Sequence, residues 1–171
     1  MTEFVPDPLV IPNFLSERVC DVLIHAHTVS PQQTNLNKQK RPVVVPAGDV
    51  KTLTDHYVTQ TTKLFENYFK IALVPQSTTL ELWRTGLSMA PHIDDHIPAI
   101  LSQVVYLNDD YEGGETFFTQ LNLTVTPKRG TLVGFRCNCL KHEHGVNKIL
   151  SGTRYTFTSW YKKGYTIAKS I

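Results

Sequence analysis

The chain changes hydrophobic period once. In its first part apolar positions recur every three to four residues: Ser16 followed by "ERVCDVLIHAH" has the form of a capped helix start, with Val19, Val22 and Leu23 at core spacing. A second run, "KTLTDHYVTQTTKLFENYFKIAL", repeats Leu53, Tyr57, Thr61, Leu64, Phe65 and Tyr68 at the same spacing, and this aromatic stripe reads as a core face rather than a cofactor box. Between them lies the polar stretch "TVSPQQTNLNKQKRP", which gives way abruptly to "VVVPAG" and carries a basic cluster of Lys38, Lys40 and Arg41. It reads as a solvated connection, with a lid over a site as the functional alternative.

From about residue 77 the pattern is of short β-rich runs: "STTLELWR", "ILSQVVYLN", "ETFFTQ", "LNLTVTP", "GTLVGFRC", "HGVNKIL" and "TRYTFTSWY". Turn signals such as "NDDYEGG", "PKRG" and "LSG" separate them, and Gly86, Gly113 and Gly114 read as turn glycines. Strands at this spacing predict a sandwich or barrel with the two helices packed on it, a mixed α+β chain that is mainly β.

Composition narrows this only a little. The 171 residues suit one domain, and a net charge of +2 with 19% charged residues calls for neither a nucleic-acid nor a membrane partner. "MTEFVPDPLVIPNF" lacks the basic start and apolar core of a signal peptide, and no run has the length of a membrane span. Three cysteines, with Cys137 and Cys139 too close for an ordinary bridge, predict reduced thiols and a cytoplasmic location. The sequon at Asn122 is then a chance match.

The candidate chemistry lies in "PHIDDHIPAI", residues 91–100. On an extended strand His92 and Asp94 share a face and aim an imidazole and a carboxylate at one point, with Ile93 on the opposite face. Such a pair is common by accident and needs a third ligand. His92 and His96 would face one way on a helix, but Pro98 ends any helix there and Ile93 stands where a zinc-protease helix needs its glutamate. Cys137, Cys139, His142 and His144 offer four zinc-type ligands, yet strand alternation sets them too nearly in line to converge tetrahedrally. His144 opens "HGVNKILSGTRYTFTSWY", in which Arg154 lies ten residues downstream.

With these pieces the strand half resembles the iron(II) and 2-oxoglutarate dependent oxygenases, most closely their prolyl 4-hydroxylase branch. "WRTGLSMAPHIDDH", "SQVVYLNDDYEGGETFF", "PKRGTLVGF" and "HGVNKILSGTRYTFTSWY" occur in family order over residues 80–161, and "LVIPNFLSERVCDVLI" looks like the branch's opening strand and first helix. The resemblance implies a double-stranded β-helix (jelly-roll) core over residues 76–165, with residues 1–75 as helical support and lid loop packed on one sheet, all one domain over 1–171. It implies His92, Asp94 and His144 as iron ligands, a facial set that leaves positions for a chelating keto acid and dioxygen. Family spacing selects His144 over His142. Arg154 is the implied fork for the far carboxylate of 2-oxoglutarate, and Tyr106 is implied to add its hydroxyl there. Alternation then puts Arg154, Thr156, Thr158 and Trp160 on the lumen face, and Tyr155, Phe157 and Tyr161 on the other.

Two departures stand out. Many members of the branch carry tyrosine where this chain has Trp83, so a hydroxyl contact to the cosubstrate is absent or replaced. Cys137 and Cys139 also lie just before the distal histidine, where thiols are open to oxidation. The implied activity is that of a dioxygenase using iron(II) and 2-oxoglutarate, and admitting ascorbate, to hydroxylate a peptidyl proline laid under the 28–48 loop. A free amino acid, another small molecule or another side chain is the competing substrate. Nucleic acid is disfavoured because Trp160 stands where base-repair members carry a second arginine. A non-catalytic jelly-roll binding module would not need His92, Asp94, His144 and Arg154 together.

Overall fold

The computed structural model describes residues 4–36, 41–95 and 98–165; Lys38, Lys40 and His96 lie outside the described residues. In chain order the elements are β1 (Leu9–Ile11), α1 (Glu17–Val29), β2 (Thr34–Leu36), β3 (Arg41–Val44), α2 (Gly48–Phe69), β4 (Leu73–Arg84), β5 (Met89–His92), β6 (Leu101–Tyr106), β7 (Glu112–Gly113), β8 (Thr116–Phe118), β9 (Leu123–Val125), β10 (Leu132–Arg136), β11 (His144–Val146), β12 (Ile149–Ser151) and β13 (Thr153–Lys163). Seven strands form one antiparallel sheet in the order β1-β10-β6-β13-β4-β3-β2, four form a second in the order β5-β11-β8-β9, and β12 pairs with β7. Among the described residues no helix is long and apolar enough to cross a membrane.

Long β13 is the axis of the larger sheet. It pairs with β4 on one side and β6 on the other, so that Phe157 lies between Leu80 and Val105, and Thr156 between Glu81 and Tyr106. These two rows face opposite ways. Leu80, Val105 and Phe157 join Leu101, Leu132 and Tyr161 in the principal core, against Cys20 and Leu23 of α1 and Val58, Phe65 and Phe69 of α2. The opposite face packs on the smaller sheet through Tyr106, Val133, Phe135, Phe118 and Val125.

The helices form where the periodicity predicts, with Ser16 capping α1 through its side chain, but their buried faces are rotated from the expected ones. Cys20, Leu23 and His27 turn inward on α1 while Val22 is 42% exposed. On α2 the buried line is Thr54, Val58, Thr61, Phe65 and Phe69, and Leu64 and Tyr68 are 40% and 38% exposed. Polar residues take core positions because their groups are satisfied there: Thr61 bonds back to the Tyr57 and Val58 carbonyls and meets the Tyr161 hydroxyl at 2.6 Å, which donates to Gln103 Oε1 at 2.7 Å. The helix α2 ends at Lys70, whose φ of 57° takes the left-handed conformation that stops a helix.

The polar stretch after α1 differs from a plain solvated connection. Its described parts form the β2–β3 hairpin, which adds to the edge of the larger sheet through Val43 opposite Glu81 and Val44 opposite Leu80.

Candidate metal centre and anion pocket

A cavity of about 610 Å³ opens between the sheets. Its walls include Arg154, Thr156, Thr158 and Trp160 of β13, Glu81 and Trp83 of β4, and Arg41 of β3. Strand alternation put the same four residues of β13 on one face.

At one side of the cavity β5 and β11 run antiparallel with His92 directly opposite His144, which brings the two imidazoles to 4.5 Å between centroids. Asp94 lies two residues beyond the end of β5. One ligand atom from each of His92, Asp94 and His144 lies within 4.8 Å of the others, and this is the one such group of three among the described residues. Each imidazole is oriented by its Nδ1, which donates to a backbone carbonyl at 3.0 Å, Ala90 for His92 and His142 for His144. A carbonyl only accepts, so each ring carries a hydrogen on Nδ1, and in the neutral ring Nε2 is the nitrogen left to bind a metal. His92 Nε2 sits 3.3 Å from Asp94 Oδ1, and that carboxylate raises the His92 pKa, whereas burial lowers that of His144. The His144 ring also lies tilted against Phe135, 4.3 Å between centroids, a tight wall that limits its freedom. Two neutral nitrogens and one carboxylate on one side, with open space on the other, fit an iron(II) ion that keeps positions for further ligands.

His142 is held elsewhere. It ends a 3-10 turn, Leu140–His142, where the alternation of a strand does not apply. Its Nδ1 accepts from the Arg136 N–H at 2.8 Å and its Nε2 donates to the Pro6 carbonyl at 3.0 Å, while burial pulls its pKa down to about 4. With both nitrogens occupied it ties the N-terminal segment to the sheet. The four-ligand cluster of Cys137, Cys139, His142 and His144 does not assemble. Cys137 instead points its buried thiol at Asp94 Oδ2, at 3.9 Å, and burial raises its pKa so that it stays a thiol. Asp95 is exposed.

Across the cavity Arg154 is 2% exposed, and among the described residues no carboxylate pairs with it and its Nε has no hydrogen-bond partner. Its guanidinium lies 5.1 Å from the Trp83 ring centroid and 5.3 Å from that of Tyr106. A buried cation held by two rings and no anion is suited to a carboxylate ligand. Tyr106 itself is fully buried behind the wall; its hydroxyl donates to Thr116 Oγ1 at 2.7 Å, and Thr116 is the residue that lines the cavity.

Several residues of the pocket carry no obvious sequence signal. Arg41, read as part of a solvated basic cluster, turns inward, with its guanidinium 4.3 Å over the Trp83 ring and its Nε 3.3 Å from the buried Glu81. Next to the pocket rather than in its lining, Tyr111 buries its hydroxyl near Arg154, and burial raises its pKa. Gly114, at φ 70°, does more than turn the chain: a Cβ there would come within 2.9 Å of the Tyr111 ring and 3.1 Å of Arg154 Cδ. That glycine-only backbone beside two polar residues was the available clue.

Comparison with known proteins agrees with this geometry. The sequence model of the 2OG-Fe(II) oxygenase superfamily matches residues 79–162. Human prolyl 3-hydroxylase 3 is 42% identical over 65 residues, which are 35% of this chain and only 9% of that much longer protein. Among solved structures, the viral collagen prolyl hydroxylase of Paramecium Bursaria Chlorella virus-1, in complex with 2OG, aligns with a TM-score of 0.74 at 22% identity over 93% of this chain and 96% of that one. A prolyl-4-hydroxylase of Pseudomonas putida aligns with a TM-score of 0.72 at 18% identity, over 92% and 93% of the two chains. These last two likenesses are of fold. The matched segment contains His92, Asp94, His144 and Arg154, so residues 79–162 resemble the 2OG-Fe(II) oxygenase superfamily in sequence, and the fold is shared almost end to end with the viral structure.

Proposed function

We propose that the chain is an iron(II)- and 2-oxoglutarate-dependent dioxygenase that hydroxylates peptidyl proline. The observation that carries this reading is the opening of His92, Asp94 and His144 onto the same cavity as the unpaired Arg154. In this reading the two main sheets are the halves of a double-stranded β-helix, residues 76–165, supported by residues 1–75 within one domain. Three unpaired cysteines suit a reducing, cytoplasmic setting.

His92 Nε2, Asp94 and His144 Nε2 would hold the iron, and Arg154 would hold the far carboxylate of 2-oxoglutarate through a charge-assisted fork. When bound, iron, the keto acid and dioxygen together supply the oxidation that converts a C–H bond to C–OH, with succinate and carbon dioxide leaving. The protein binds, orients and excludes water. Backbone carbonyls at Ala90 and His142 accept from the Nδ1 side of the two imidazoles and keep their Nε2 atoms aimed. Phe135 and Val104 keep the cavity wall apolar near the reacting atoms, and Trp160, with an unpartnered indole N–H, offers a donor on the same wall. Tyr106 acts behind the wall, through Thr116 and through the face it offers Arg154. The β2–β3 hairpin edges the cavity through Arg41 and would border the substrate groove. Relatives named for the 3- and the 4-position both resemble this chain; we assign the 4-position, with ascorbate as an external reductant.

The test is incubation with iron(II), 2-oxoglutarate and ascorbate against proline-containing peptides and free proline, scored by mass and by succinate. A peptide that gains one oxygen with matching succinate supports the proposal, and fragment analysis of the hydroxyproline assigns the carbon. Oxygen gained by free proline and by no peptide overturns the peptide substrate. Absence of succinate with every substrate overturns the enzyme.

A further inference from the structure

Glu81 is a carboxylate at a position that strand alternation turns into the cavity, 3% exposed, between Thr79 and Trp83 on the same face of β4. An isolated charge there would cost several kcal/mol, so its partners define what it can do. Oε1 accepts from the Thr79 hydroxyl at 3.2 Å. Oε2 accepts from the Trp83 indole N–H at 3.3 Å and pairs with Arg41 Nε, also at 3.3 Å. Arg41 is thus the counter-charge that permits a buried carboxylate, and the carboxylate in turn fixes one end of the indole.

That indole is one of the two rings flanking the Arg154 guanidinium, and Arg41 lies over the same ring. Trp83 stands where a hydroxyl contact to the cosubstrate would otherwise be expected, yet its single donor is spent on Glu81. The indole contributes a surface, and the orientation of that surface is set from behind. We propose that Glu81 is a positioning residue for cosubstrate binding: it holds Trp83 in the orientation against which Arg154 presents its fork. The inference rests on the reading of Arg154 as the 2-oxoglutarate cation.

The discriminating variant is Glu81→Met combined with Arg41→Met. It removes the ion pair as a unit, leaves the net charge of the cavity unchanged and strands no buried charge, so the fold is expected to tolerate it. Trp83→Phe is the second variant; it keeps a ring for Arg154 and deletes the N–H that Glu81 fixes. Both are measured without turnover, by calorimetric titration of 2-oxoglutarate into Mn(II)-loaded, oxygen-free protein, with Mn(II) affinity followed by electron paramagnetic resonance. Each variant is expected to weaken 2-oxoglutarate binding by about tenfold, the size seen when an outer partner of a ligating group is removed. Mn(II) affinity should stay within about twofold of the parent. The triple variant should be no weaker than Trp83→Phe alone, because the two changes break one link. Binding by the double variant within about twofold of the parent overturns the positioning role, as do effects that multiply in the triple variant. Failure of the parent protein to bind 2-oxoglutarate overturns the cosubstrate reading itself, and the inference with it.

Discussion

Replacing Arg154 by methionine should make the ligand-free protein more stable while removing its capacity for 2-oxoglutarate. Arg154 is 2% exposed and has no ion-pair partner among the described residues, so folding strips its charge of bulk water without giving it an anion. For a buried ion that penalty is several kcal/mol, reduced here by two ring contacts worth up to about 2 kcal/mol each and by water admitted to the cavity. Methionine is unbranched, nearly as long and apolar, and fills the same channel beside Gly114 without charge. The balance favours the variant by about 1–2 kcal/mol, which for a domain of this size raises Tm by about 2–8 °C. Scanning calorimetry without metal or 2-oxoglutarate measures it. Addition of Mn(II) and 2-oxoglutarate at about a hundred times the Kd should then add about 2.7 kcal/mol to the parent and none from the keto acid to the variant, reversing their order. A variant less stable than the parent in the ligand-free scan would show that Arg154 is a structural residue satisfied within the protein. An equal ligand-induced shift in both would refute its role as the anion's partner.

Two other outcomes test the packing around the site. His27 is fully buried, donates through Nε2 to the Pro42 carbonyl at 3.2 Å and meets the Tyr155 ring edge-on; burial lowers its pKa below the ordinary imidazole value. The ring is therefore neutral in the fold and takes a proton on unfolding. Its contribution to stability is full above about pH 6.5 and is lost as pH falls from there toward the folded pKa, at up to about 1.4 kcal/mol per pH unit. Urea unfolding should show a shallower acid-side decline in His27→Gln than in the parent, and parallel declines would contradict this. A Cβ added at Gly134 of β10 would lie 2.3 Å from Phe65 Cε1, so Gly134→Ala must displace the buried Phe65 ring. It should cost about 1–3 kcal/mol in the same assay, and a loss under about 0.5 kcal/mol would contradict that packing.

What the sequence revealed depended on how local each determinant is. The period of two along "RYTFTSWY" separated Arg154, Thr156, Thr158 and Trp160 from Phe157 and Tyr161, and the first four do line the cavity while the last two enter the helix-side core. The helix faces were harder, because a 3.6 period is nearly satisfied by two stripes one residue apart. Val22, Leu64 and Tyr68 fit the pattern by hydrophobicity, yet Cys20, His27, Thr54 and Thr61 take the inner positions once partners from other elements are in place. Arg41 was illegible for the same reason: its partner, Glu81, is far along the chain, and a cationic cluster in isolation reads as solvated. Alternation could not separate His142 from His144, because the former sits in a 3-10 turn and only the latter lies on β11.

The central claim is that His92, Asp94, His144 and Arg154 form one site for iron(II) and 2-oxoglutarate. Anaerobic addition of iron(II) to the protein with 2-oxoglutarate, followed by visible absorption, tests it most directly. A metal-to-ligand charge-transfer band should grow to one equivalent of metal, vanish in His92→Ala and require far more 2-oxoglutarate in Arg154→Met. No band in the parent protein, or a band unchanged in both variants, would contradict the assignment.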